Sequence, residues 1–349
     1  MTIDYLKIIP SYRCNKACSY CYNQVLSQQS NAKPSKLFAT LEMILDTQDT
    51  NFVAEVLGGE PLQSETIETT ISVLEMLTHS LHCRKRVLST AIAKISTLQR
   101  VLNLLDFLYL SIDISPSVIN RKQISKHQLE NINLKLSNTG VDLCLSVVLY
   151  GTEKEYDLEE FVLFIKNIGI KNICFGYIGF KDLSLSEVMS YSRLFYFLFI
   201  LKYAFSDEIF LGGRVLETLD LAVQRIKRQK ICHCGETSLV IQPDGSVSPS
   251  ICVEYNSVHN YSIARYIKMK SERFNVLKDS SCGRCELWSV CHGGCMGESI
   301  ALYRNHIIQD KVYCSILSKT WRQIKKDIES KKNIYKNKSV KHHLLSFTY

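Results

Sequence analysis

The 349-residue sequence lacks an export signal, a membrane-spanning run and a low-complexity linker. Residues 1–9 contain Asp4 and Lys7 but no cleavage site, which excludes a secretory signal peptide. The most apolar later run, residues 194–205, is interrupted by Lys202 and is too short to cross a bilayer. We therefore expect a cytoplasmic protein without a membrane span, in which this run is a buried or interfacial helix.

The sequence also lacks aromatic residues interleaved with its basic residues, the pattern that stacks on nucleic-acid bases. The formal net charge is +8, and much of it comes from residues 319–341. This segment could be a basic surface for an acidic peptide or for nucleic acid. We favour a helix that runs into a solvated tail, and we expect no nucleic-acid partner.

Cysteine, by contrast, is abundant, with 14 in the chain. Without an export signal, so many cysteines indicate metal ligation in a reducing compartment rather than disulfides. Cys14, Cys18 and Cys21 have C-x3-C-x2-C spacing. A [4Fe–4S] cluster takes one ligand on each of four irons, so three cysteines leave one iron open to a non-protein ligand. This spacing indicates a reaction centre; a zinc knuckle or chance clustering is the alternative.

Two further motifs accompany the three cysteines. Tyr20 directly precedes Cys21, and an apolar run at residues 52–57 ends in Gly58, Gly59, Glu60 and Pro61. Two glycines before an acid at a strand end let backbone carbonyls approach a ligand closely. With these motifs the chain resembles the radical S-adenosylmethionine (SAM) enzymes. The resemblance implies that SAM binds the open iron, that residues 58–61 contact its amino group, and that Tyr20 lies near its adenine.

Six short β-like runs alternate with amphipathic segments in the first half of the chain. The runs are residues 5–9, 52–57, 86–90, 107–112, 143–148 and 172–177, and the segments include 64–78, 92–105, 128–138 and 158–168. This alternation predicts an α/β fold of parallel βαβ units with right-handed crossovers. The resemblance implies a partial (β/α)6 TIM-like barrel, whose sites gather at the carboxyl ends of the strands.

Polar residues fall at or just past two of these strand ends. Thr90 ends one predicted strand, and Ser111 and Asp113 end or follow the next. The resemblance implies that Ser111 and the neighbourhood of Thr90 touch the SAM ribose or carboxylate, and Asp113 is a candidate beside them. The resemblance also matches Arg121 loosely to an arginine that pairs with the SAM carboxylate. The alternative is that Arg121 is an exposed arginine at the start of a helix. The family often has Thr-Asn-Gly where residues 89–91 are Ser-Thr-Ala.

The C-terminal part carries a second group of cysteines around a Pro-Asp-Gly turn at residues 243–245. Their spacing resembles the SPASM domain of radical SAM peptide maturases, although six residues rather than four separate the turn from the next cysteine. The resemblance implies two auxiliary [4Fe–4S] clusters, and three clusters in all. The outer one would have four cysteine ligands; in the inner one either a fourth cysteine, which we favour, or an open iron completes the set. The expected ligands are Cys282, Cys285, Cys291 and Cys314 for the outer cluster, and Cys234, Cys252 and Cys295, with Cys232, for the inner one.

Taken alone, the C-terminal cysteines also fit a zinc module, because zinc sites use C-x2-C pairs and four thiolates. The three-cysteine motif at the other end of the chain favours iron–sulfur clusters. We therefore predict a barrel over residues 1–183, a helical connector over 184–230, a SPASM domain over 231–320 and a basic helix or tail over 321–349.

The resemblance implies a radical SAM oxidoreductase that modifies a ribosomally made precursor peptide. The auxiliary clusters suit a reaction that removes an electron after hydrogen abstraction and leaves a C–C (cyclophane-type) or C–S (thioether) crosslink. The arrangement of a barrel followed by a SPASM domain, with few residues before Cys14, is similar to that of the XYE-type maturases, which form three-residue cyclophanes. Glu254 is the candidate proton acceptor near the inner cluster; an exposed acid is the alternative.

The expected partners are the precursor peptide with its leader and a reductant such as flavodoxin or ferredoxin. Thirteen residues precede Cys14. We therefore expect leader recognition by a separate protein, by residues 184–230 or by the basic tail.

Two other functions remain open. An anaerobic sulfatase-maturating enzyme, which oxidises Cys or Ser to formylglycine, shares the cluster plan. That family places an Asp directly after the second SPASM cysteine, whereas this chain has Val253. A non-catalytic iron–sulfur or zinc-binding adaptor would explain the cysteines but not the three-ligand site or residues 58–61.

Overall fold

The computed structural model describes residues 2–16, 18, 21, 33–114, 124–178, 182–228, 232, 234–249 and 262–330. The chain divides into two compact units. The first comprises residues 1–146 and 234–268, and the second comprises residues 147–233 and 269–349. Within the described ranges, no helix combines the length and apolar character that a membrane span requires.

The described part of the chain alternates strands and helices over most of its length. In chain order the elements are β1 (Tyr5–Ile8), α1 (Pro34–Thr47), β2 (Phe52–Val56), α2 (Ile67–His79), β3 (Cys83–Thr90), α3 (Ile95–Leu98), a 3₁₀ helix (Leu102–Leu104), β4 (Phe107–Ile112), α4 (Lys126–Ser137), β5 (Asp142–Leu149), α5 (Glu155–Asn167), β6 (Asn172–Tyr177), α6 (Leu185–Ala204), β7 (Phe210–Gly212), α7 (Arg214–Val223), β8 (Ser238–Ile241), β9 (Val247–Ser248), α8 (Ile263–Asp279), α9 (Trp288–Cys291), α10 (Met296–Tyr303) and α11 (Lys311–Glu329).

The first unit is built on a sheet in the order β9-β8-β1-β2-β3-β4, with the start of β5 next to β4. Strands β8, β1, β2, β3 and β4 are parallel, and β9 turns back antiparallel to β8. Helix α1 packs against β8, and α2 packs against β2 and β3. The aliphatic side chains between them are fully buried, and removing that surface from water is the main stabilising contribution. They include Leu6, Ile8, Leu41, Ala54, Val56, Leu74 and Leu88.

The second unit combines the end of β5 with β6 and β7, and β6 and β7 pair in parallel. Its helices α6, α7 and α11 pack against one another. Ser192 in α6 donates to the carbonyl of Ile316 (3.3 Å), and Thr320 in α11 donates to that of Ser192 (3.3 Å). Helix α6 is therefore a buried helix, as expected for the apolar run at residues 194–205.

All six predicted strands are confirmed, and so is the α/β fold class. The Pro-Asp-Gly turn joins β8 to β9 as expected, and it contacts α1 because Thr40 donates to the carbonyl of Gly245 (2.8 Å). The predicted domain boundaries at residues 183, 230 and 320 stay a prediction.

Two predicted helical segments differ in the structure. Residues 92–105 split into α3 and the 3₁₀ helix. The chain then extends into β4, and directly before this strand the amide of Asp106 donates to the carbonyl of Arg86 (3.0 Å). The connector at 184–230 is not wholly helical, since it contains β7. Gly213, with φ +114°, turns the chain from β7 into α7. A Cβ at that position would lie 2.1 Å from the carbonyl oxygen of Phe175.

Candidate functional site

Gly58 and Gly59 bring the end of β2 against the segment that leads into Cys14. The amide of Gly59 donates to the carbonyl of Ser11 (3.0 Å). A Cβ at Gly59 would lie 2.0 Å from the carbonyl oxygen of Arg13, and Gly58 has φ +137°. Glycine is therefore required at both positions, since it has no Cβ and tolerates positive φ.

Gly59→Ala is expected to lower the free energy of unfolding by about 3 kcal/mol, the upper part of the range for overpacking. The added methyl group meets backbone atoms of Arg13, which cannot rotate away. Thermal unfolding checks this, with Gly176→Ala as the matched control, because a Cβ there meets only the Val147 carbonyl at 4.0 Å. Equal losses in the two variants would contradict the steric argument.

The Glu60 carboxylate joins the carboxyl ends of β2 and β3. It accepts hydrogen bonds from the amides of Leu62 (3.1 Å) and Ala91 (2.9 Å) and from the hydroxyl of Thr90. The amide of Glu60 also donates to the carbonyl of Arg13 (2.9 Å). Burial raises the pKa of Glu60, and these hydrogen bonds to the carboxylate oppose that rise. The structure thus brings two predicted site residues, Glu60 and Thr90, into direct contact.

The next strand along adds the remaining described candidates at this edge. Thr90 pairs with Leu110 in the register of β3 and β4, so Ser111 and Asp113 lie just past the level of Thr90. Ser111 is half-buried and Asp113 is buried. The sheet therefore gathers seven predicted cofactor-binding residues near one edge: Gly58, Gly59, Glu60, Pro61, Thr90, Ser111 and Asp113. Arg121, also predicted to bind the cofactor, lies outside the described residues.

Cys14, Cys18 and Cys21 lie in the segment that follows β1. Cys18 is buried, and the other two cysteines are half-buried. The amide of Cys21 donates to the carbonyl of Cys18 (3.0 Å), and that of Lys16 donates to the Cys14 sulfur (3.4 Å). An amide N–H directed at sulfur favours the thiolate form, which is the form that ligates iron. Tyr20 lies outside the described residues.

Four cysteines line a cavity of about 200 Å³ in the second unit. One water needs only about 10–15 Å³ of such space, so a polyatomic group fits. Four thiols on one cavity are the donor set of a [4Fe–4S] cluster. In the described ranges, no three His, Cys, Asp or Glu side chains are grouped closely enough for one metal ion. The four cysteines are those predicted for the outer cluster: Cys282, Cys285, Cys291 and Cys314.

The cavity favours neutral thiols when no metal is bound. Burial raises the pKa of Cys291 to about 12, and burial also raises the pKa values of Cys282 and Cys314. Metal ligation requires thiolates, so a cluster that binds at this cavity would release protons. Burial thus outweighs the opposing effect of nearby guanidinium groups, those of Arg273 at Cys282 and Arg214 at Cys291.

A buried ion cluster that the sequence analysis did not identify lies beside Cys295. Arg214 donates to Glu298 (3.0 Å) and to Asp310 (2.6 Å), and its guanidinium stacks 3.7 Å from the ring centroid of Tyr313. Asp310 also accepts from the amides of Cys295 (3.3 Å) and Tyr313 (3.1 Å), the latter as the N-cap of α11. Burial raises the pKa of Glu298. At Asp310, hydrogen bonds with Glu298 and Arg214 outweigh burial and lower the pKa.

Asp310→Ala is expected to lower the free energy of unfolding by about 3–5 kcal/mol, because it breaks a buried ion pair and leaves Arg214 undercompensated. Glu208→Ala is the matched control, since it breaks a partly exposed ion pair with Lys166 (2.8 Å) in the same unit and should cost at most about 1 kcal/mol. Chemical denaturation of both variants measures the difference. Similar losses would show that the cluster beside Cys295 adds nothing beyond a surface pair.

The residues predicted for the inner cluster are only partly described. Cys234 forms an isolated bridge with Ser238, and the carbonyl of Cys232 accepts a hydrogen bond from Lys270 (2.6 Å). Cys252 and Glu254 lie outside the described residues. The ligand set of this cluster and the proton acceptor therefore stay predictions.

Comparison with known proteins supports the fold. Residues 11–136 match the family described as a 4Fe-4S single cluster domain. The structure of anSMEcpe with bound AdoMet has a TM-score of 0.70 at 17% identity, covering 95% of this chain and 99% of that one. Streptococcus suis SuiB bound to its precursor peptide SuiA has a TM-score of 0.64 at 19% identity, covering 89% and 76%. No curated protein matches the sequence. The chain thus has the α/β fold, with parallel strands, of anSMEcpe and SuiB.

Proposed function

We propose that the chain is a radical SAM enzyme that modifies a peptide. The observation that carries the proposal is the docking of residues 58–60 onto the backbone of residues 11–13, directly before the three-cysteine segment. This docking supports a cluster on Cys14, Cys18 and Cys21 beside the strand edge that holds Glu60 and Thr90.

SAM on such a cluster supplies, after one-electron reduction, a 5′-deoxyadenosyl radical that abstracts hydrogen from an unactivated C–H bond. The chain's own part is to orient SAM and exclude water. The carbonyls of Glu60 and Pro61 accept hydrogen bonds from the hydroxyls of Thr66 and Thr70 (both 2.8 Å). Each of these two carbonyls already uses one of its two lone pairs, so of residues 58–61 we favour the carbonyls of the two glycines as acceptors for the SAM amino group. Tyr20 and Arg121 remain the proposed contacts to adenine and carboxylate.

The four-cysteine cavity supports an auxiliary cluster, and we propose three clusters in total. A substrate radical that couples to a thiolate or an aromatic ring must lose an electron and a proton to give a closed-shell product. The second unit offers a site for the electron acceptor, and Glu254 is the proposed proton acceptor. Flavodoxin or ferredoxin is the proposed reductant for the SAM cluster.

The proposed product is a C–C or C–S crosslink in a precursor peptide. The fold likeness to SuiB, which was solved with its precursor peptide SuiA, supports a peptide substrate. More specifically, we propose that this crosslink is a three-residue cyclophane of the XYE type. A leader-binding protein is a proposed partner.

Formylglycine formation is a second candidate, favoured by the fold likeness to anSMEcpe over 95% of this chain. The presence of Val253, where the sulfatase-maturating family has an Asp, argues against it. Crosslink formation therefore stands first.

The test is an anaerobic reaction of the iron-reconstituted protein with SAM, dithionite and a candidate precursor peptide. Liquid chromatography and mass spectrometry follow 5′-deoxyadenosine and the peptide. A crosslink removes two hydrogens and leaves no aldehyde, whereas formylglycine reacts with a hydrazide probe. Absence of 5′-deoxyadenosine from fully loaded protein would rule out the radical SAM function.

A further inference from the structure

Arg273 in α8 is a buried arginine that the sequence analysis did not single out. Only 4% of the residue is exposed. Its guanidinium donates to three main-chain carbonyls, those of Gly293 (2.7 Å), His306 (2.6 Å) and Ile308. All three hydrogen-bond partners are neutral.

These hydrogen bonds hold two walls of the four-cysteine cavity. Gly293 lines the cavity, and Ile308 directly precedes Gln309, which also lines it. The Gln309 amide oxygen lies 2.6 Å from the sulfur of Cys282. The Arg273 guanidinium therefore fixes the segment between Cys291 and Cys295 and the segment that leads to α11.

Arg273 also places a positive charge close to several cysteines. Arginine stays protonated in proteins. The thiolate forms of Cys295, Cys282 and Cys291 and the Asp310 carboxylate all interact favourably with this guanidinium. Arg214, by contrast, donates directly to two carboxylates, Glu298 and Asp310. The hydrogen bonds given for the Arg273 guanidinium go to carbonyls alone, so its charge is the less directly paired of the two.

We propose that Arg273 is a positioning residue that shapes the four-cysteine cavity and raises the reduction potential of the cluster assigned to it. The inference rests on the proposed auxiliary cluster. Reduction adds a negative charge to a cluster, and a buried positive charge nearby stabilises that charge more than it would in water. Protein charge is one of the factors that set iron–sulfur potentials. A higher potential suits a site that takes an electron from a substrate radical.

The test is a redox titration monitored by electron paramagnetic resonance on reconstituted protein. The three N-terminal cysteine ligands are replaced by alanine to remove the signal of the SAM cluster. The signal lost in an additional Cys285→Ser variant identifies the four-cysteine cluster. Arg273→Gln removes the charge and Arg273→Lys keeps it, while Lys268→Gln removes an exposed charge from the same helix.

Arg273→Gln is expected to lower the equilibrium constant for reduction at least tenfold, which is 59 mV for a one-electron couple. Arg273→Lys and Lys268→Gln are expected to change it less than threefold. Both Arg273 variants are expected to lower the melting temperature of the metal-free protein, because neither lysine nor glutamine reproduces the three-carbonyl fork. The potential therefore separates the electrostatic role from the structural one.

Three results would overturn the inference. They are an unchanged potential in Arg273→Gln, a tenfold drop in Arg273→Lys, and a drop in Lys268→Gln equal to that in Arg273→Gln. The result for Arg273→Lys tests the inference even if Arg273→Gln does not fold. Absence of any signal that depends on Cys285 in otherwise wild-type protein would instead reject the proposed auxiliary cluster itself.

Discussion

Replacement of Cys14, Cys18 and Cys21 by alanine is expected to abolish 5′-deoxyadenosine formation from SAM. Three thiolates are the minimum that holds a cluster with one open iron, so the variant cannot bind SAM through iron. Iron per chain should fall from about twelve to about eight, at four irons per cluster. Anaerobic reconstitution, iron and sulfide analysis and chromatographic assay of 5′-deoxyadenosine measure both quantities.

Cys83→Ala is the matched control for this experiment. Cys83 is a half-buried residue in β3 and belongs to none of the predicted ligand sets. Iron content and SAM cleavage should therefore match the wild type. Cleavage that survives in the triple variant, or zinc in place of iron in the wild type, would refute the proposed reaction centre.

Replacement of Cys282, Cys285, Cys291 and Cys314 by serine is expected to remove about four irons per chain and to abolish peptide modification. SAM cleavage should persist, because the three-cysteine segment belongs to the other unit. The separation of the two activities is the expected signature of an electron acceptor that acts after hydrogen abstraction. Mass spectrometry of the peptide beside 5′-deoxyadenosine analysis detects it.

Cys174→Ala controls for the loss of a thiol in the second unit, since Cys174 lies in β6 and lines no part of the described cavity. It should retain both iron and product. Normal peptide modification by the quadruple variant would show that the four-cysteine cavity has no part in the reaction.

Strands β1 to β6 could be predicted from the sequence because each is a short apolar run, a pattern that is visible in neighbouring residues. β7 could not, because three residues between two helices carry too little pattern. Residues 210–212 become a strand only by pairing with β6, which lies far earlier in the chain. The extension of the chain after Leu105 likewise involves a contact with β3, since the amide of Asp106 donates to the carbonyl of Arg86.

At the site, too, residues with a recognisable spacing could be predicted, whereas contacts between residues far apart in the chain could not. Resemblance in spacing predicted the cysteines of the cavity, including Cys314, which lies in α11, apart from the other three. The ion cluster escaped because Arg214 lies 84 residues from Glu298 and 96 from Asp310. The role of Arg273 could not be predicted because its acceptors are main-chain carbonyls, which every residue type carries.

Asp310 has a consequence for how the protein is made. It caps α11, the helix that carries Cys314, and it accepts hydrogen bonds from Arg214 and from the amide of Cys295. The four thiols can therefore meet only after α11 has left the ribosome and docked. If the proposed cluster binds here, iron delivery would therefore wait until α11 has docked. A nascent chain that ends before α11 would lack Cys314 and with it the complete cavity.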